Sequence, residues 1–283
     1  MKKQLLALLV LIISAVMVSC EKEAKEIELP KVDPKLVVYG FLSPSDSVIE
    51  IVVSKSVPYF GDQKGNIYDP VSDATVLLSS EGQTISLPFS IENGSYIVRN
   101  EAPFSILAGK TYSLQVSSPG GFYVSAATTV PSSLPNQVKV EIDSSIRTSN
   151  GFNEKIYRIQ TVFLDQPNQR DYYHGITKIY QDTLKDKRYA YTICNNFKED
   201  EGVNGQEIRL NCNYSNFYSG FDGANSFSGF SVLYTTDISY FKYHVSLDNY
   251  IEDNPFAEPS RVYSNIDGGL GCLGSYLATE VEF

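Results

Sequence analysis

From residue 36 onward, apolar and polar positions alternate in short runs, and most runs are bounded by Pro, Asp, Ser or Gly. LVVYGFLS and VIEIVVSKS come first, followed by DATVLLSSEGQTISL, NGSYIVRN, KTYSLQVSS and FYVSAATTVP. A period of two with β-branched and aromatic residues predicts half-buried strands. Turn signals at Glu81 and Gly82, at Asn93 and Gly94, and at residues 119–121 separate most of them. This spacing predicts an immunoglobulin-like β-sandwich over residues 36–131, about 95 residues long. Residues 131–135, PSSLP, carry two prolines that a central ladder cannot hold, which makes them the expected domain boundary. Beyond lie longer Tyr-rich runs, VKVEIDSS, KIYRIQTVFLD, DYYHGITKIYQD, KRYAYTICN and EIRLNCNY, then a loop dense in Gly, Ser, Asn and Phe. One helix is predicted between Asp237 and Asp253, because Tyr240, His244, Leu247 and Ile251 recur at helical intervals. Asp237 can cap its start, and Pro255 lies just past its end. The expected fold is mainly β, with the sandwich followed by a second β-rich domain (136–283) that contains one short helix.

The first twenty residues follow a different pattern: Lys2 and Lys3, an apolar run over residues 5–18, then Ser19 and Cys20. A charged start, a short hydrophobic stretch and a small residue before a cysteine mark a lipoprotein signal peptide over residues 1–19. The run is shorter than the roughly 20 apolar residues a membrane span needs. The thiol of Cys20 is the expected lipidation site, and several acyl chains there would tether the mature protein to a membrane. Residues 20–35, charged and carrying Pro30 and Pro34, read as the tether. Glu21, Lys22 and Glu23 resemble the short Lys-plus-acid signal that sends lipoproteins of Bacteroidota to the cell surface.

Composition narrows the partners. Loss of Lys2 and Lys3 with the leader takes the formal charge from −10 to about −12. An acidic chain has no electrostatic footprint for nucleic acid, and it is not drawn to anionic lipid. Tyr numbers 20 and Phe 15 while Trp is absent, which suits pleated surfaces better than helices.

After Cys20, three cysteines remain: Cys194, Cys212 and Cys272. Cys194 and Cys212 flank a polar, Gly-containing loop between two strand-like runs. Either they bridge the hairpin, a staple worth about 3 kcal/mol for a loop of this size, or they are two buried thiols. Cys272 is expected to pack as a small apolar residue.

No catalytic residue, cofactor or metal site is expected. GLGCLG (269–274) matches the GxGxxG string, but it lacks a following helix and a later acid, so it reads as a Gly-rich turn where backbones pack closely. His174 and His244 are far apart and show no zinc spacing, and His244 reads as a core residue on the helix face. Ser231 lacks the final glycine of a nucleophile elbow and reads as a strand residue. The acid-rich stretches 182–186, 199–201 and 248–253 lack EF-hand spacing and read as solvated surface. In the loop of residues 213–230, Phe217, Tyr218, Phe221, Phe227 and Phe230 either fold back into the second core or present apolar surface to a partner.

Taken together, the cysteine with its acidic leader, LVVYGFLSPSDSVIEIVVSKSVP, SDATVLL, KTYSLQV, SAATTVP and the closing DNPFAEPSRVYSNIDGGLGCLGSY resemble a family of Bacteroidota lipoproteins known as domain of unknown function 4249. The resemblance covers nearly all of the mature chain. It implies an outer-membrane lipoprotein encoded near TonB-dependent receptors, and it transfers no catalytic residue. The expected function is that of a surface-exposed, non-enzymatic accessory to a TonB-dependent outer-membrane receptor in cargo capture or uptake, lipid-anchored and facing the cell exterior. A structural or adhesive surface lipoprotein without a receptor is the second expectation, and a hydrolase on a β-scaffold the third.

Overall fold

The computed structural model describes residues 33–57, 70–149, 152–182, 188–216, 228–250 and 261–283. Among them the fold is mainly β, with a single short helix. The strands are β1 (Leu36–Leu42), β2 (Val48–Lys55), β3 (Thr75–Ser80), β4 (Gln83–Leu87), β5 (Phe89–Ser90), β6 (Ser95–Arg99), β7 (Thr111–Ser117) and β8 (Tyr123–Thr129). They continue with β9 (Asn136–Ser149), β10 (Phe152–Leu164), β11 (Tyr172–Asp182), β12 (Arg188–Glu199), β13 (Glu207–Asn216) and β14 (Gly229–Thr236). Helix α1 (Ile238–Asp248) and β15 (Leu270–Glu282) complete the described elements.

Alternation explains the early strands. β1 buries every second residue, and β7 buries Tyr112, Leu114 and Val116 between exposed neighbours. The β3–β4 hairpin closes through Glu81 (φ 50°) and Gly82 (φ 82°), with Ser80 opposite Gln83. Two left-handed residues form the tight turn whose twist matches that of the flanking strands.

Three sheets result. One has eight strands in the order β12-β11-β14-β15-β1-β2-β6-β5, a second has the order β4-β3-β7-β8, and a third β13-β10-β9. β15 runs parallel to β1, with Val38 opposite Gly271, so the largest sheet takes strands from both sides of residues 131–135. The main core lies between this sheet and the four-stranded one, where Leu36, Val38, Ile51 and Leu273 meet Val76, Leu78, Leu114 and Val124. Each such side chain contributes about 1.5–3 kcal/mol when fully buried. Phe163, Tyr173, Ile208, Leu210 and Leu233 form a smaller core beneath the three-stranded sheet.

Three local expectations change. GLGCLG is not a turn but runs into β15, and its glycines allow close approach: a Cβ on Gly274 would lie 2.8 Å from the Cβ of Tyr240 in α1. The helix starts as predicted, with Asp237 accepting from the backbone N–H of Ser239 and Tyr240. It ends at Asp248, however, and its buried face is Ser239, Tyr240, Phe241 and Tyr243, while Leu247 is 42% exposed. Ile251 lies outside the described residues. Finally, the runs around Cys194 and Cys212 do not form a hairpin, because β12 pairs with β11 in the large sheet and β13 pairs with β10 in the small one.

Candidate functional site

Two polar clusters are built where strands end or where helix and sheet meet. The first joins the β10–β11 and β12–β13 connections. Asp165 follows β10, Asp171 precedes β11 and Asp200 follows β12. Backbone bonds from Asp165 N–H to the Gln206 carbonyl (3.0 Å) and from Asp200 N–H to the Asp171 carbonyl (3.3 Å) hold the two loops together. Asn204 ties them further by accepting from Asn168 N–H at 2.9 Å and donating to the Gln169 carbonyl at 2.5 Å.

The three carboxylates converge, each offering an oxygen within 4.8 Å of the others, and all three are buried. Asp165 accepts from the Tyr173 hydroxyl at 2.5 Å and from Gly205 N–H at 2.7 Å. Asp171 accepts from Gln169 Nε2 at 2.8 Å, and Asp200 from Asn204 Nδ2 at 3.1 Å. No described Lys or Arg forms an ion pair with any of them; Arg170, next in sequence to Asp171, is engaged with Glu199 at 2.8 Å and Glu201 at 3.9 Å. A shallow cleft of about 390 Å³, lined by Asn168, Gln169, Arg170, Asp200 and Asn204 among others, opens beside the trio.

Crowded, poorly compensated carboxylates repel one another. Burial pushes the Asp171 carboxyl above the usual carboxylate range; Asp165 and Asp200 add to the effect and the bond from Gln169 opposes it. The Tyr173 hydroxyl is also held well above its ordinary range, by burial and by its bond to Asp165. An all-oxygen set of this kind is one a hard divalent cation could use, whereas zinc or copper would favour nitrogen and sulfur.

The sign of the pH effect follows from the raised value. The native state holds the Asp171 proton more tightly than the unfolded chain does. Stability from that proton is therefore present at acid pH and lost as pH rises from the ordinary 3.8 through the native value. Asp171→Asn removes the charge and lets an amide donate to its neighbours. The variant is expected to be more stable than wild type at neutral pH, with a flatter stability profile above the ordinary 3.8 of the carboxyl. Denaturant titrations at several pH values check this. A variant less stable at pH 7 would mean that the third charge is compensated in the native protein.

The second cluster lies under α1. His174 in β11 is 4% exposed, and both of its ring nitrogens are engaged. Nδ1 sits 2.9 Å from the Tyr240 hydroxyl and Nε2 sits 2.5 Å from Asn195 Oδ1. With the Asn195 oxygen accepting, Nε2 carries the proton and Tyr240 donates to Nδ1. Asn195 in turn donates to Asp248 at 3.1 Å. Burial lowers the His174 pKa to about 4, keeping the ring neutral. His244, one helical turn after Tyr240, donates from Nδ1 to its carbonyl at 2.9 Å. The two histidines, distant in sequence, thus lie 5.7 Å apart between ring centroids. Phe41, Tyr240 and Phe197 pack against them at 4.0–5.8 Å.

The residues nominated from sequence are placed as follows. Cys194 and Cys212 are disulfide-bonded, with Cα atoms 5.7 Å apart. Cys272 is buried, its thiol 3.5 Å from the Ser239 carbonyl. Ser231 is a buried strand residue whose hydroxyl lies 3.1 Å from that of Thr177. Phe230 lies in β14, half-buried, 5.6 Å from the Tyr180 ring. Cys20, Phe217, Tyr218, Phe221 and Phe227 fall outside the described residues. The reading of 199–201 as solvated surface holds for Glu201, whose side chain is 82% exposed, and fails for Asp200, at 2%. Asp165 and Asp171 were missed because they belong to another loop; the available signal was the Asn, Gln and Gly content of PNQR and GVNGQ between strands.

The family described as Domain of unknown function (DUF4249) matches residues 22–282. No curated protein matches the chain.

Proposed function

The chain belongs to the DUF4249 family, and from that membership we propose that it is a surface-exposed outer-membrane lipoprotein, a non-enzymatic accessory to a TonB-dependent receptor in cargo capture or uptake. The observation that carries this reading is the start of the family match at residue 22, directly after the lipidation signal that ends at Cys20. That is the arrangement expected of a mature chain anchored at Cys20, with its whole domain held outside the membrane. The described residues add support, since none of their helices is long and apolar enough to cross a membrane.

In this reading residues 36–131 form an immunoglobulin-like sandwich that stands the protein off the membrane. The β-rich part from residue 136, joined to it through the β1–β15 pairing, makes the contact. A tagged pull-down from detergent-solubilised native membranes, with mass spectrometry of the partners, tests the proposal. Recovery of one TonB-dependent receptor is expected. Recovery of the lipidated protein alone would overturn the receptor reading.

A further inference from the structure

β9 ends the three-stranded sheet, with β10 on one side and no described strand on the other. Its outer half is unusual for an edge. Residues 142–148 are exposed, including Ile142 at 42% and Ile146 at 72%. Long edges are normally blunted by proline, bulges or charges, but this half has no proline, its two charges, Asp143 and Arg147, are of opposite sign, and the bulge in the β9–β10 ladder lies at the far end, between Val162 and Leu164. The Ser144 N–H donates to Asp143 Oδ1 at 2.8 Å, a local carboxylate in place of a neighbouring strand's carbonyl. Ser144 therefore belongs to the alternate residues whose backbone groups face away from β10.

Alternation puts Val140, Ile142, Ser144 and Ile146 on one face and Glu141, Asp143 and Arg147 on the other. Read backwards against itself, this strand is self-complementary at one register. With Ser144 opposite the partner's Ser144, Ile142 faces the partner's Ile146, and Glu141, which already pairs with Lys139 and Arg209 of its own chain, faces the partner's Arg147. Two-fold symmetry makes each of these pairs twice. Centring on Asp143 sets like charges opposite each other, and centring on Ile142 opposes Glu141 and the partner's Asp143. Centring on Ser145 keeps an opposite-charge pair but sets each isoleucine against a hydroxyl residue, and centring on Ile146 loses the charge pairs. Cross-strand apolar and opposite-charge pairs are the units that stabilise a sheet.

We infer that β9 is a homodimerisation edge. Two copies pair antiparallel about Ser144, exchange the Asp143 cap for backbone hydrogen bonds, and extend the three-stranded sheet into a continuous six-stranded one. The inference is independent of the receptor reading.

Single-cysteine variants of the full lipidated chain, oxidised mildly in membranes and run on non-reducing gels, provide the test. Opposite residues of an antiparallel pair have Cα atoms within disulfide range. Cys194 and Cys212 are already bonded, Cys272 is buried and Cys20 carries the lipid in the proposed mature chain, so the native thiols do not interfere. Ser144→Cys is expected to cross-link to itself. Ile142→Cys and Ile146→Cys are expected to cross-link to each other when co-expressed, and neither to itself. Adding Arg147→Glu to Ser144→Cys should cut the dimer yield at least about tenfold by placing like charges opposite. Adding Arg147→Lys instead, which keeps the opposite charge and leaves the ion pairs of Glu141 with Lys139 and Arg209 untouched, should leave the yield near that of Ser144→Cys alone. Absence of a dimer, self-cross-linking at 142 or 146, equal yields at every position, or a cross-link only to a different protein would each overturn the proposal.

Discussion

Gly271→Ala is expected to destabilise the protein by about 3 kcal/mol or more, the sum of a strained backbone and an overpacked contact. Gly271 sits in β15 at φ 109°, and a Cβ there would lie 2.0 Å from the Val38 carbonyl oxygen. The obstacle is backbone, and β1 cannot retreat, because Val38 is also paired with Val53 on its other side. The parallel β1–β15 junction would therefore have to open. A loss of this size is a large share of the 5–15 kcal/mol that holds a typical domain folded. Gly82→Ala is the control. Gly82 has φ 82° with nothing within 4 Å of a built Cβ, so it should show only the backbone cost, about 1 kcal/mol. Equilibrium denaturant unfolding of both variants separates strain from clash, and equal losses would disprove the close approach.

Removing the disulfide, by Cys194→Ala with Cys212→Ala or by reduction, should cost about 3 kcal/mol for a loop of this length. The bond closes a separation of 18 residues and links β12 to β13. Since those strands lie in different sheets, it staples the three-stranded sheet to the eight-stranded one, which no hydrogen-bond ladder joins among the described residues. The loss should fall mainly on the small core of Phe163, Ile208, Leu210 and Leu233. Hydrogen exchange should thus accelerate in β9, β10 and β13 before β3, β7 and β8. A reduced protein with the wild-type midpoint and uniform exchange would refute this.

Much of the local structure was legible in the chain. Leu36, Val38 and Leu42 alternate with half-exposed neighbours, and a core-facing strand follows whatever lies opposite. Glu81 and Gly82 mark a turn because glycine enters the left-handed region without cost and a two-residue hairpin needs that region. Asp237 caps α1 because its carboxylate reaches the first free N–H groups wherever the helix packs. The site was far less legible. Asp200 looked solvated between Glu199 and Glu201, and only the neighbouring loop, whose Asp171 carbonyl accepts from its N–H, takes it out of water.

The amino-acid sequence by itself determined the family, the strand-forming segments, the start of the helix and the acidic balance, most of them properties of neighbours within a few residues. The tertiary structure alone decided that β15 returns to β1, that β12 and β13 part into separate sheets, that Asp165, Asp171 and Asp200 share one buried volume, and that His174 meets Tyr240 beneath α1. The physical reason is that a period of two states which face of a strand avoids water, whereas its partner strand, and hence which distant polar groups converge, is chosen by packing the whole chain at once.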